Sequence, residues 1–262
     1  MTAMDYLESV LNRYNTTLSL LLPLTPAYST VVPLLRQWGN SLTFPFSQLI
    51  EIKLSGSNAK GTGVLGVTDL DLFISFHQNI LTSYNLEQIY NSLAQAMRNA
   101  GYNVRRQNVS VRINHNGTEV DLVPGVKFSG NSNDHWLHVT GTGRDRTKTN
   151  IDAHISRVTS SGRIKEIRLT KIWRKLNNLD FPSIILEEAV MDALSGYTIG
   201  NTANNFWRVL DYLQTDITTA YIIDPANSSN VISNDMTQIV KNTISNAAAA
   251  SRRQSDWRMI VY

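Results

Sequence analysis

The sequence predicts an α+β protein of two lobes, one organised around a β-sheet and the other made of helices. Three observations carry that prediction. Apolar residues alternate with a period of two at 48–55, at 69–76 and on both sides of an Asn116-Gly117 pair. They recur at helical spacing over about 85–100 and again, beyond residue 160, in four successive segments. A chain of 262 residues, 42% of them hydrophobic, is long enough to bury one large core or two smaller ones.

Taken in order, residues 1–41 read as two packing helices, the first with Leu7, Val10 and Leu11 on one face and the second around Val31–Trp38 with Pro33 near its start. QLIEIKLS (48–55) has Ile50, Ile52 and Leu54 on one side, as a strand does, and a glycine-rich turn follows. In DLDLFISF (69–76) the residues Leu70, Leu72, Ile74 and Phe76 form an apolar face, which leaves Asp69 and Asp71 together on the other. A helix over about 85–100 stops at Gly101. VSVRIN and TEVDLVP then flank Asn116-Gly117, two residues that tolerate the positive φ of a tight hairpin turn. In the second arm Val120 and Leu122 point one way and Glu119, Asp121 and Val123 the other. Residues 125–150, rich in Gly, Ser, Thr and Asn, read as a long loop or irregular strands. Helices are expected at roughly 163–178, 183–195, 203–215 and 234–257. The expected division is therefore 1–160 for the first helices and the sheet, and 161–262 for the helical lobe.

Composition narrows the class further. Charged residues make up only 17% of the chain, below the roughly 25% usual in soluble domains, and 25 asparagines supply neutral polarity instead. The absence of cysteine excludes disulfides, cysteine-zinc sites and thiol nucleophiles. No apolar run reaches the roughly 18 residues of a membrane span, and the N-terminal residues lack the basic start of a signal peptide, so a cytoplasmic protein is expected. The net charge of +3 is unevenly spread: residues 144–175 carry 10 Lys/Arg against 3 Asp/Glu, which suits either an anionic partner or a solvated helix face.

The chemistry lies in LSGSNAKGTGVLGVTDLDLF. Gly61, Gly63 and Gly66 have the spacing of a dinucleotide-binding fingerprint, but that fingerprint must open a helix and these glycines lead into a strand. Nor is this a phosphate-binding P-loop, since Thr62 occupies its lysine position. What remains is a strand, a Gly56-Ser57 turn, and an Asp-x-Asp on the next strand, joined by Asp121 from a distant one. Carboxylates at i and i+2 sit on one strand face roughly 6.5–7 Å apart at the backbone, and three acids together repel unless a cation neutralises them. Such a trio is the ligand set of a two-metal phosphoryl-transfer site, with the Gly-Ser turn offering close backbone approach and a hydroxyl to phosphates.

The same residues carry a resemblance. GSNAKGT, DLD and EVDLVP together resemble the GS, GT, DxD and D pattern of DNA polymerase β-type nucleotidyltransferases. Downstream, RLTKIWRKL, FPSIILEEAV and DPANSSNV are similar to the lysine-bearing helix, the FPS-LE helix and the DP-N-V segment of the CD-NTase family, bacterial relatives of cyclic GMP-AMP synthase and oligoadenylate synthase. The resemblance covers about residues 54–235. It implies a polymerase β-type lobe with a mixed β-sheet, a helical C-terminal lobe and an active site in the cleft of a bilobed molecule. It also implies that Asp69, Asp71 and Asp121 are catalytic and bind two Mg²⁺ (or Mn²⁺) ions, that Gly56 and Ser57 contact the donor triphosphate, and that Lys171 contacts phosphate. Helical periodicity agrees for Lys171, placing it with Arg168 and Lys175 on a basic stripe opposite Leu169, Ile172, Trp173 and Leu176. Asn150 is a candidate for base selection.

The activity so implied joins nucleoside triphosphates, ATP expected among them, into a cyclic di- or trinucleotide with release of pyrophosphate. Its product would be sensed by a downstream effector in bacterial anti-phage (CBASS) signalling, with no membrane partner and with nucleic acid allowed but not required. Two other readings fit the same residues: a nucleotidyltransferase that modifies RNA or a small molecule, by tRNA 3′-end addition, poly(A) addition or antibiotic adenylylation, and a catalytically inactive nucleotide-binding module. His135-x-x-His138 has a spacing that could ligate metal, but with no nearby carboxylate surface histidines are the expectation.

Overall fold

The computed structural model describes residues 2–15, 21–42, 46–66, 69–128, 132–141, 143 and 145–262, with only the backbone described for 21–25. Arg144, at the start of the basic segment, lies outside the described residues, as do 129–131 and 142 of the expected loop. In chain order the described elements are α1 (Ala3–Arg13), α2 (Leu21–Ser41), β1 (Leu49–Leu54), α3 (Gly56–Lys60), β2 (Leu70–Phe76), α4 (Leu86–Asn99), β3 (Arg105–Arg106), β4 (Val111–His115), β5 (Thr118–Lys127), β6 (His135–His138) and β7 (Arg146–Thr149). They continue with α5 (Ile151–Thr159), α6 (Ile164–Leu176), α7 (Ser183–Ala193), α8 (Thr202–Thr215), β8 (Ile223–Asp224), β9 (Asn227–Val231) and α9 (Gln238–Arg252). The chain divides into two compact units, one of Thr17–Lys60 and Thr68–Ile155, the other of Met1–Thr16, Gly61–Val67 and Ser156–Tyr262.

The first unit is a mixed sheet covered by helices. Its strands run in the order β1-β2-β5-β4-β3, with β6 on β5 and β7 on β6; β2 and β5 are parallel and every other pair is antiparallel. Leu70, Leu72, Ile74 and Phe76 of β2, with Val120 and Leu122 of β5, pack against Val31, Leu35 and Trp38 of α2 and Ile89, Leu93 and Met97 of α4. The amphipathic α4 opens on a reciprocal cap, in which the Asn85 and Gln88 side chains each accept the other's backbone N–H. β5 runs through Pro124 and on to Lys127, three residues beyond the TEVDLVP arm read from the sequence. The proline is tolerated because β5 pairs with β4 only as far as Leu122 and with β6 only from Gly125, so on that side Pro124 has no ladder to interrupt. Of the apolar side expected for β1, only Ile52 is buried: Ile50 and Leu54 are exposed on what is an edge strand with a register shift between Leu49 and Glu51. Pro33 lies inside α2 rather than at its start; it and Ser29, whose carbonyl it leaves unbonded, are both exposed, so water can take the missing partner's place.

Residues 135–138 and 146–149 are strands, and His135 is buried on β6. Its Nδ1 lies 2.8 Å from the Asn133 carbonyl, which can only accept, so Nδ1 carries the proton and Nε2 accepts from the Ser75 hydroxyl at 2.8 Å. Burial pushes this imidazole below its ordinary value of 6.5. A depressed folded-state value means that the stabilisation is complete above about pH 6.5 and is lost as pH falls through the folded-state value. Thermal stability should therefore drop as pH falls below about 6.5, with a slope of up to about 1.4 kcal/mol per pH unit, one proton's worth. His135→Asn should flatten that component in pH-dependent melting, and an unchanged slope would contradict the assignment.

The second unit is helical. Leu7, Val10 and Leu11 of α1 share a core with Ile167, Leu169, Ile172 and Trp173 of α6, Ile185, Leu186 and Val190 of α7, and Phe206, Val209 and Leu213 of α8. The helix expected to belong with the sheet thus clusters with the helical unit, and the boundary falls inside α5 rather than at 160/161. α5 and the two-stranded β8-β9 ribbon were not anticipated from periodicity; Asp224 closes the ribbon's turn by accepting the Ala226 N–H at 2.8 Å. Among the described residues no helix is long and apolar enough to cross a membrane.

Candidate active site

The alternation that buries the even residues of β2 leaves Asp71 on the opposite face of the sheet. β2 and β5 are in register with Asp71 beside Asp121, and β5 and β4 with Asp121 beside Arg112, so one row across three strands reads Asp71, Asp121, Arg112. Asp69 stands one residue before β2. The structure brings Asp69 and Asp121 together around the arginine, which was not among the residues singled out from the sequence. Arg112 Nε donates to Asp121 Oδ1 at 2.8 Å, and Nη2 donates both to Asp121 Oδ2 at 2.5 Å and to Asp69 Oδ2 at 2.9 Å. Nη1 pairs with Glu119 on the same face of β5. Burial pushes the Asp69 carboxyl above the usual range, Arg112 pulls it down, and Asp121 and Glu119 push it up again.

The Gly56-Ser57 turn is held against the start of β2. The Ser55 N–H donates to the Asp71 carbonyl at 2.9 Å, and Asn58 Nδ2 donates to the Asp69 carbonyl at 2.9 Å. Gly56 has φ +58°, and a Cβ there would come 1.9 Å from Asp71 Oδ2, so glycine is required both by the backbone and by the carboxylate it faces. Gly56→Ala should cost about 1–2 kcal/mol from the left-handed backbone alone, plus displacement of Asp71; an unchanged urea midpoint would contradict this. Ser57 is half-buried in the first turn of α3.

The donor set suits a hard divalent cation. Asp69 and Asp121 oxygens approach closely enough to share one guanidinium nitrogen, and carboxylate oxygens are the ligands Mg²⁺ takes. Among the described residues no three acidic or histidine side chains are already gathered as a metal cage, and the Arg112 guanidinium bonds both Asp69 and Asp121.

In the helical unit Lys171 is not on an outward basic stripe. It is 2% exposed, and its Nζ donates to Glu187 Oε1 at 2.8 Å and to the Thr62 hydroxyl at 2.9 Å. Arg168 donates to the Leu11 and Tyr14 carbonyls, and the Lys175 ammonium lies 5.8 Å from the centroid of the Tyr14 ring. Periodicity says which positions share a face but not what covers it. A signal for the covering partner existed: Glu187 and Glu188 interrupt the otherwise apolar SIILEEAV, and buried acids demand buried cations. Asn150 has both polar ends engaged, Oδ1 accepting the Ala153 N–H at 3.0 Å at the start of α5 and Nδ2 donating to Asp134 at 2.8 Å.

Comparison with solved structures identifies the fold. The Bradyrhizobium diazoefficiens CD-NTase CdnG, in complex with GTP, superposes with a TM-score of 0.78 at 13% identity over 96% of this chain and 90% of that one. The fold is that of the CD-NTases. Escherichia coli MS115-1 CdnC with ATP shares the CD-NTase fold with a TM-score of 0.71 at 21% identity, over 95% of this chain and 89% of its own. The Elizabethkingia meningoseptica CdnE cyclic dinucleotide synthase with GTP and Apcpp gives 0.63 at 17% identity, over 88% and 92%. No protein-family profile and no curated protein matches the sequence.

Proposed function

We propose that the chain is a nucleotidyltransferase that condenses nucleoside triphosphates into a cyclic di- or trinucleotide with release of pyrophosphate, as the signal generator of a bacterial anti-phage system. The observation that carries this reading is the in-register pair Asp71 and Asp121, with Asp69 beside them and the Gly56-Ser57 turn against Asp71, in a fold whose solved examples include structures with ATP and with GTP. In this reading Asp69, Asp71 and Asp121 would hold two Mg²⁺ ions, whose charge would offset that of the phosphates and lower the pKa of a bound hydroxyl. The carboxylates orient a ribose hydroxyl of one nucleotide toward the α-phosphorus of another. The new O–P bond forms as the bond to pyrophosphate breaks, and the hydroxyl proton leaves to solvent; a second round closes the ring. Gly56 and Ser57 line the triphosphate. Lys171 supports the Gly61-Thr62 turn through the Thr62 hydroxyl and reaches a phosphate only by leaving Glu187. Asn150 contributes to base selection through its hold on the start of α5.

The test is the mass of the compound formed from all four nucleoside triphosphates and Mg²⁺. A phosphatase-resistant cyclic product supports the reading. Label transfer to added RNA or to a small acceptor in its place, or no nucleotide consumption, would replace it.

A further inference from the structure

Arg112 is the one cation that the described contacts place on both Asp69 and Asp121, and its position is built rather than incidental. The side chain is 18% exposed and Asp121 is 11% exposed, so the pair is largely withdrawn from solvent screening. Three of its donor bonds go to Asp69 and Asp121, while Nη1 goes to Glu119, which at 42% exposed stands at the wet rim of the same cluster. Two close carboxylates on one sheet face repel when nothing positive lies between them. The forked guanidinium relieves that repulsion without any ion, because one nitrogen bonds both acids and a neighbouring nitrogen bonds the third.

Resting on the reading of these acids as metal ligands, we propose that Arg112 is a resident counter-cation that exchanges with the divalent ion. In the metal-free chain it holds Asp69 and Asp121 together; on metal binding it releases both and keeps its bond to Glu119. The exchange has two consequences. The metal-free sheet is not destabilised by its own acidic cluster, and metal affinity is set by competition with a tethered guanidinium, so the ion binds more weakly than three unopposed carboxylates would bind it. Arg112 is thus a positioning residue that tunes when the site is loaded.

The test is Mn²⁺ binding to the full chain, followed by electron paramagnetic resonance without nucleotide. Arg112→Gln should bind Mn²⁺ about tenfold tighter than the parent, the scale of one charge-assisted hydrogen bond. Arg105→Gln removes an equal charge from the exposed residue paired with Arg112 across β3 and β4, where screening should hold the change to less than about twofold. If metal-free Arg112→Gln fails to fold, Mn²⁺ should restore its circular dichroism, since the ion then stands in for the guanidinium. Equal or weaker Mn²⁺ binding by Arg112→Gln, an equal gain from Arg105→Gln, or an unfolded variant that metal does not rescue would overturn the exchange while leaving the metal-site reading intact. Mn²⁺ binding that is absent from parent and variant alike, or indifferent to Asp71→Asn, would overturn both.

Discussion

Asp121→Asn should reduce formation of the nucleotide product by about 10³-fold, the upper end of the range for loss of a single group that stabilises transition-state charge. The size follows from where Asp121 stands. It is the central member of the row, beside Asp71 on β2 and beside Arg112 on β4, and it is largely buried. Asparagine keeps the shape and accepts one of the two Arg112 bonds through its amide oxygen, while Arg112 keeps its bonds to Asp69 and Glu119, so the sheet should remain folded with a melting temperature only modestly below that of the parent. What it cannot keep is the negative charge that pairs with a divalent ion. Product mass and rate, measured with Mg²⁺ beside a melting curve, separate the two effects. Product formed at the parental rate by a folded Asp121→Asn protein would remove the acid cluster from the mechanism.

Lys171→Met should produce the largest loss of stability, about 3–5 kcal/mol, the usual cost of leaving one member of a buried ion pair without its partner. Both side chains are almost wholly withdrawn from solvent, at 3% for Lys171 and 2% for Glu187. Glu187 would then be left with the Thr62 hydroxyl at 3.4 Å as its remaining described hydrogen-bond donor. The double variant Lys171→Met/Glu187→Leu removes both charges and should recover most of the loss, because apolar side chains of similar volume substitute well for a buried pair. Denaturant midpoints of parent, single and double variants test this. A single variant as stable as the parent would mean that the charge is not buried in solution, and Lys171 would then be free to meet phosphate as the basic stripe suggested.

Several of these positions follow from the amino-acid sequence alone. The strand alternation that put Leu70, Leu72, Ile74 and Phe76 in the core necessarily put Asp71 on the far face, because successive side chains of a strand point to opposite sides. The Asn116-Gly117 turn also fixes the register of its two arms. A two-residue turn there sets 115 opposite 118, and counting outward brings Arg112 opposite Asp121, which is the register found. The Gly56-Ser57 pair reads in the sequence as a close backbone approach to phosphate; the neighbour that the structure gives Gly56 is instead the Asp71 carboxylate, which periodicity along one segment does not show.

The sequence by itself determined most of the helices and strands and their order, though not α5 or the β8-β9 ribbon, and the faces on which Asp71, Asp121 and the apolar residues of β2 and β5 lie, since these depend on chemistry repeating at 2.0 or 3.6 residues along one segment. Only the tertiary structure decided that α1 packs with the helical unit, that Glu187 buries Lys171, that the edge strand exposes Ile50 and Leu54, and that a guanidinium sits between Asp69 and Asp121. Each of these is a pairing between residues 16 or more positions apart or between a residue and solvent at a sheet edge, or, for Arg112, a choice among several acids within reach. Local periodicity states which side of an element is apolar and is silent about what arrives to cover it.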